Sequence, residues 1–447
     1  MHLHNVLIAV VFLGVPSQAI SRLRPWKLSD PCPTSLTTTI VDGIEGYYHY
    51  MDPDSEDSEE PEDSKEEISF EPASLETIHL ALTSCPNITS LDLSIERPGC
   101  TGNLIRKLPF NESGGETYPA LKSLRLDGYR FDQPSTRHGW DMRWKHRGVI
   151  DYVVDTMKWA SGNEWHYREK YFMEPKPEGN KTNIDLWLEA MDWSQIEDLD
   201  IPVTEEVVAK IAPRLKSLKR LNTTSVPFVQ ALERNSLERL TWVEPRFSRS
   251  TPFGNGTLEA VLKAQGASLQ ELEMRCNEID CGDVAGFENK ELAMISSLAP
   301  KLTYFSTNLH RNGSWPLETL ETVSSIASLR SVDLHLVLQS DCRREIEPTW
   351  QNNRGCCAGD NMFMEPFLNE SSALDLFQFM KRGKVGQGWE SVSFYIGDWG
   401  VAVDSAFDEP AWLEGRKGVV RCSDVGKREG EAWCRGFGYG IGRRYGL

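Results

Sequence analysis

Basic charge is scarce in this chain. Over 447 residues, 48 Lys and Arg stand against 66 Asp and Glu, a net charge of −18. Phosphate backbones repel such a chain unless basic residues concentrate locally, which argues against broad nucleic-acid binding. Long apolar runs are missing as well: no stretch of about 18 or more apolar residues occurs, so no membrane span is expected. There is no Gly-x-Ser-x-Gly nucleophile elbow and no His-Glu-x-x-His metal motif. Cys276 and Cys281 lack the second knuckle or nearby His that a zinc site needs. His138 and His146 lie among Trp and Arg with nothing that marks them as ligands. The spacing Gly436-x-Gly438-x-Gly440-x-Gly442 is not followed by a helix, so it reads as a flexible glycine-aromatic tail rather than a dinucleotide loop. No catalytic residue, metal or cofactor is assigned, and the chain reads as non-enzymatic.

What is present points outward from the cell. Val6 to Val15 is an apolar run of signal-peptide length, and Ser17-Gln18-Ala19 puts small residues before a cleavage site, so residues 1–19 read as a leader. The leader departs from the usual pattern in carrying His2 and His4 but no Lys or Arg. Seven Asn-x-Ser/Thr sequons follow, at Asn87, Asn111, Asn180, Asn222, Asn255, Asn312 and Asn369. Chance would give roughly two or three. All ten Cys lie after the leader, an even number that reads as disulfides in an exported chain. Local pairs are plausible for Cys85–Cys100, Cys276–Cys281 and Cys422–Cys434. The adjacent Cys356 and Cys357 bond elsewhere, one of them plausibly to Cys342. The expected localisation is extracellular.

Half of the net charge sits in one place. Asp52 to Glu67 holds ten acids and one lysine, a net of −9, with no aromatic residue. Self-repulsion and the lack of anything to bury make 51–70 a disordered linker. An EF-hand reading fails there, because Asp57 stands where the loop needs Gly. Residues 20–50 before the linker read as a small N-terminal cap held by Cys32.

From residue 75 a phrase recurs: apolar, two variable, apolar, one variable, apolar. It reads Ile88-x-x-Leu91-x-Leu93, then Leu121-x-x-Leu124-x-Leu126 and Ile196-x-x-Leu199-x-Ile201. Further copies centre on Leu221, Leu240, Leu272, Phe305 and Val332, and a weak last one on Val392. The closing alternation is that of a strand with one buried face. Helical spacing fills the gaps, as in Val207, Val208 and Ile211; Leu258, Val261 and Leu262; Leu292, Ile295 and Leu298; and Leu320, Val323, Ile326 and Ala327. A strand–loop–helix unit cannot bury its apolar edge alone, whereas stacked units share a core.

The phrase resembles the leucine-rich repeat family over roughly residues 75 to 395. The resemblance implies an α/β leucine-rich repeat solenoid, a curved parallel sheet with helices on its convex side. The copies depart from the family in mostly lacking the Asn after the strand and in their uneven spacing. In that spacing the chain is similar to the leucine-rich half of fungal F-box-type proteins. Residues 20–70 show no helical F-box block, so an intracellular F-box-like adaptor is the lesser alternative. The expected organisation is a repeat domain over 71–400, with insertions at about 128–193 and 335–388, and a C-terminal cap and Gly-rich tail over 401–447.

The first insertion carries six Trp. Trp159, Trp187 and Trp193 read as core, while Trp140, Trp144 and Trp165 fit core or a binding platform equally. A helix is expected around Val149 to Met157 and another around Leu186 to Met191. A secreted hydrolase sited in this insertion is the enzyme alternative. The second insertion reads as a disulfide-pinned loop with a helix from Leu374 to Met380.

In such a solenoid the variable strand residues face outward. They include Arg125, Asp127, Asp200, Arg239, Glu273, Arg275, Tyr304, Asp333, His335 and Tyr395. Mixed charge with Tyr suits a protein partner, with a glycan as the second class. The expected function is a non-enzymatic interaction scaffold at a fungal cell surface, wall or host interface. A glycan on the outward Asn222 would occupy the middle of that face.

Overall fold

The computed structural model describes residues 31–41, 75–96, 108–110, 115–132, 181–244, 256–276, 286–311, 313–336, 366–396, 418–424 and 432–437. Within them strand and helix alternate from the third strand to the tenth. The order is β1 (Ser35–Val41), α1 (Leu75–Ser84), β2 (Ser90–Glu96), β3 (Ser123–Asp127), α2 (Asn183–Ala190), β4 (Asp198–Asp200), α3 (Glu205–Ile211) and β5 (Arg220–Asn222). It continues with α4 (Val226–Ala231), β6 (Arg239–Glu244), α5 (Thr257–Gln265), β7 (Glu271–Cys276), α6 (Asn289–Leu298) and β8 (Tyr304–Leu309). The last elements are α7 (Leu317–Ser325), β9 (Ser331–Leu336), α8 (Glu370–Gly383), β10 (Ser391–Ile396), β11 (Gly418–Ser423) and β12 (Trp433–Phe437).

All twelve strands form one sheet, laid down in sequence order. Pairing is parallel from β1 to β10 and antiparallel from β10 through β12. The expected anchors set the register. Leu91 pairs with Leu124, Leu124 with Leu199, Leu199 with Leu221, and so on through Leu240, Leu272, Phe305 and Val332 to Val392. One row of apolar side chains therefore runs the length of the sheet, and each anchor is buried. The first residue of each phrase, such as Ile88, Leu121, Leu237 or Leu329, is buried just before its strand.

Helices supply the other half of this core. Val207, Val208 and Ile211 of α3, Leu258, Val261 and Leu262 of α5, and Leu320 and Val323 of α7 are buried against it. Leu298 is only partly buried, and Ala327 lies exposed beyond the end of α7. Each helix packs on the next, from α3 to α8. Capping side chains fix where several begin: Thr204 accepts from the Val207 amide, Ser225 from Phe228 and Asn369 from Ser372. Close approach fixes one helix spacing. A side chain at Gly266 would strike the Leu298 carbonyl, so α5 and α6 meet backbone to backbone there.

Several expectations need correction. Cys85 bonds Cys32, not Cys100. The cause is β1, which the repeat pattern misses: it pairs with β2 and carries Cys32 to the end of α1. Within the expected cap, Ser35–Val41 is the first strand of the sheet. Cys422 bonds Cys434 across β11 and β12, as expected. Cys276 is disulfide-bonded to a residue outside those described.

Trp187 and Trp193 are fully buried, as their reading as core expects, and Tyr129 and Phe131 are buried with them. The helix expected around Leu374 is α8, which packs against α7 and the closing hairpin. The glycine-aromatic tail contains β12, with Gly436 inside it. The acidic linker, the helix around Val149 to Met157, and Trp140, Trp144, Trp159 and Trp165 lie outside the described residues. Among the described residues no helix is long and apolar enough to cross a membrane.

Candidate functional site

The side chains that alternate with the anchors form the opposite face of the sheet. Register arranges them in rows. The middle row runs Asp92, Arg125, Asp200, Asn222, Thr241, Glu273, Ser306, Asp333 and Ser393, and continues to Arg421 and Arg435. The structure sorts the expected site residues into two groups on this face.

The first group centres on Arg125. Its Nε lies 3.2 Å from Asp200 and 3.9 Å from Asp92. Asp127 is exposed at the end of β3. Burial raises the Asp200 carboxyl above its ordinary pKa, and the nearby Asp127 and Asp198 charges add to the rise. A hydrogen bond from Asn222 and the charge of Arg125 work against it. Beside this group, Arg220 pairs with Asp198 at 2.9 Å.

The second group spans β7 to β10. Glu273 and Arg275 pair at 2.7 Å. The Tyr304 hydroxyl donates to Asp333 at 2.8 Å. The His335 ring stacks on Tyr395, with centroids 4.5 Å apart and planes 15° apart. Burial pushes Tyr395 up to about 12, with the Asp333 charge adding to it. The His335 ring keeps some open surface, yet dense packing around it and the charge of Arg275 push its pKa down to about 3. The imidazole is therefore neutral across the physiological range.

Ser306 lies 3.4 Å from His335 Nε2, a contact that resembles a nucleophile–base pair. The pair is poorly suited to that chemistry. Ser306 is 1% exposed, and an imidazole of such low pKa is a weak base at neutral pH. Among the described residues no three His, Cys, Asp or Glu converge as a metal site.

Arg239 lies at the border of the second group. It pairs with Glu271 at 3.3 Å and lines a hollow of about 400 Å³ with Tyr304, Thr303, Ser331, Arg330 and Glu390. The last four are absent from the sequence reading. Thr303, Arg330 and Glu390 precede their strands, where the alternation gives no signal. Three strand steps, about 14 Å, separate the two groups. Asn222 and Thr241 occupy the gap. Thus the sequon residue Asn222 stands at mid-face, half-buried and bonded to Asp200. Asn87 is exposed in the turn before β2, and Asn369 caps α8. Asn111, Asn180, Asn255 and Asn312 lie outside the described residues.

Sequence reasoning missed two buried amides that support this face. Asn308 accepts from the Cys276 amide at 2.8 Å and donates to the Cys276 carbonyl at 3.1 Å, bracketing the end of β7. Gln265 does similar work behind the sheet. Both are polar residues at core depth, where an apolar pattern carries no mark for them.

No protein-family model matches this chain, and no curated protein matches it.

Proposed function

We propose that this chain is a secreted, glycosylated leucine-rich repeat solenoid that binds a protein partner through the outward face of its sheet. On this reading it acts as a non-enzymatic scaffold at a fungal cell surface, wall or host interface. The solenoid reading is supported by one phrase recurring at strand after strand, with sequential strands adjacent in space. Export is supported by the sequons, by the apolar leader and by the disulfides Cys32–Cys85 and Cys422–Cys434.

The observation that carries the binding reading is the group Arg275, Tyr304, Asp333, His335 and Tyr395. These side chains stand on strands, not loops, and are held in pairs: Tyr304 on Asp333, His335 on Tyr395, and Arg275 on Glu273. A surface ordered before it meets a partner loses little freedom on binding. Tyr and Arg are the residue types that dominate interface energetics. The neutral His335 lets the group present aromatic and hydrogen-bonding surface without adding charge.

The test is a pull-down with purified mature protein from wall and host extracts, run beside an Arg275→Ala, Tyr395→Ala double variant. The expected result is a specific protein that the variant loses, with affinity reduced by about 2 kcal/mol or more. A wild-type protein that recovers no specific partner would sink the reading. Mass spectrometry of the native protein is the second check. N-linked glycans establish export, and their complete absence restores the intracellular adaptor.

A further inference from the structure

The two ends of the sheet are finished differently. At the C-terminal end, β12 is guarded: the Gly436 amide donates to the Glu370 carboxylate at 2.8 Å, α8 packs on the strand, and Arg435 adds a charge. At the other end, none of the described residues guards β1 in this way. Its sequence, SLTTTIV, holds no charge, no Pro and no Gly, and five of its residues are β-branched. Among the described residues nothing lies on its outer side. Natural sheets blunt their edges with charge, proline or a covering element, so a bare β-branched edge is a pairing surface.

Backbone direction tells which groups are open. The Thr34 carbonyl accepts from the Thr89 amide at 2.8 Å, so Thr34 points toward β2. Alternation then turns Leu36, Thr38 and Ile40 toward β2, and the N–H and C=O of Ser35, Thr37, Thr39 and Val41 away from it. The Cys32–Cys85 disulfide anchors the start of the strand, so this edge is held in place before anything binds.

We infer that β1 pairs antiparallel with β1 of a second copy of this chain, joining two sheets across a two-fold axis at Thr38. The strand is self-complementary in this register. Ser35 meets Val41 and Thr37 meets Thr39, and all four have open backbone groups, so each pair exchanges both of its hydrogen bonds. Between them, the closer non-hydrogen-bonded positions set Leu36 against Ile40 and Thr38 against Thr38. Leu36 and Ile40 follow the register of the core residues Leu91 and Ile95. Leu36 is only partly buried although it packs on that core. The second copy would therefore cover the open end of the hydrophobic layer. Leu80, 43% exposed on α1 at the same end, adds apolar surface there. A shift by one residue would face open backbone groups with turned-away ones, and a shift by two would leave one of the four open residues without a partner, so the two-fold at Thr38 makes the most bonds. This pairing uses the sheet edge and stands whether or not the sheet face binds a partner.

The test is light scattering and sedimentation of the full mature protein across micromolar concentrations. The expected species has twice the monomer mass. Thr39→Pro removes an outward N–H without touching the β1–β2 ladder, and by symmetry it deletes the bond twice, so dimer affinity should fall on the order of tenfold or more. If that variant loses β1 order by circular dichroism, Thr37→Lys combined with Thr39→Lys replaces it. Both side chains are exposed, and lysines would face lysines only in the dimer. Thr38→Cys should form a covalent dimer under mild oxidation, whereas Thr37→Cys should not. A protein that stays monomeric, with its edge bare or covered by another strand, overturns the inference. So does a dimer indifferent to these variants, or one that cross-links through position 37 instead of 38.

Discussion

Replacing Gln265 with Leu tests how the helical layer is joined to the sheet. Gln265 is fully buried at the end of α5. Its Oε1 accepts from the amides of Ser236, at 2.9 Å, and Leu237, at 3.2 Å. Its Nε2 donates to the carbonyls of Val229, at 3.3 Å, and Glu233, at 3.0 Å. These four groups belong to the end of α4 and the turn into β6, a turn sharp enough to hold Asn235 at φ 57. One side chain thus satisfies a whole connection that has no regular structure of its own. Leucine keeps the volume and removes every bond. A lost bond is worth about 1 kcal/mol net, and a buried group left without a partner costs about 1–3 kcal/mol. The Ser236 and Glu233 groups lie near the surface and can turn to water, whereas those of Val229 and Leu237 cannot. The sum is about 4–8 kcal/mol, a large part of the roughly 5–15 kcal/mol that holds a domain folded. With a urea slope of about 1–3 kcal/mol per molar, the midpoint should fall by about 1 M or more. Hydrogen exchange should locate the damage at the Leu237 amide. Gln265→Glu adds a diagnostic pH dependence. A carboxylate facing two carbonyls in a buried site has its folded-state pKa raised above about 4.3, so this variant should be least stable at neutral pH and recover as pH falls through the raised value. The Leu variant should show no such recovery. A Leu variant within about 0.5 kcal/mol of the parent, with Leu237 still protected, would refute the reasoning.

Other outcomes follow from features already placed. Trp187 sits edge-on to Phe110, Tyr118, Tyr129, Phe131 and Trp193 and donates its indole N–H to the Tyr129 hydroxyl at 3.1 Å, so Trp187→Ala should lose about 3–5 kcal/mol in calorimetry or urea unfolding. Burial pushes the Asp185 carboxyl up, but bonds from Lys210 and Thr182 outweigh it and hold the pKa below the ordinary value. Its contribution is therefore present above the unfolded pKa of about 3.9 and lost as pH falls through the lower folded value; Asp185→Asn should remove about 1 kcal/mol or less, and with it that part of the acid sensitivity. Cys32→Ser with Cys85→Ser opens a link with a sequence separation of 53, which should lower stability by about 2–5 kcal/mol and speed amide exchange first in β1. Asp200→Asn should leave neutral-pH stability unchanged or slightly raised, because burial already disfavours its charge; a clear loss in thermal melting would contradict this.

The sheet was readable because each strand from β2 to β10 repeats one physical demand: an apolar side chain at the anchor position. β1 escaped because Thr38 stands where its neighbour has Leu93, so the alternation fades although the register continues. The Cys32–Cys85 bond was hidden for the same reason, since only the pairing of β1 with β2 brings those residues together. The outward residues were legible as the variable members of each phrase. Which of them touch was not, because partners such as Tyr304 and Asp333 lie on separate strands and meet through register and side-chain reach. Amides such as Gln265 and Asn308 look like surface residues in a string of letters. Only the backbone groups around them explain their depth.

Because every described strand sits beside the one before it, each cut between units divides the sheet into two contiguous runs of strands. Splitting the gene within 245–255 would leave β1 to β6 on one polypeptide and β7 to β12 on the other. Each product would carry a complete run of the sheet and one freshly exposed border. Two such fragments, expressed together, should find each other through the β6–β7 ladder and rebuild the parent, making the chain a natural substrate for fragment complementation.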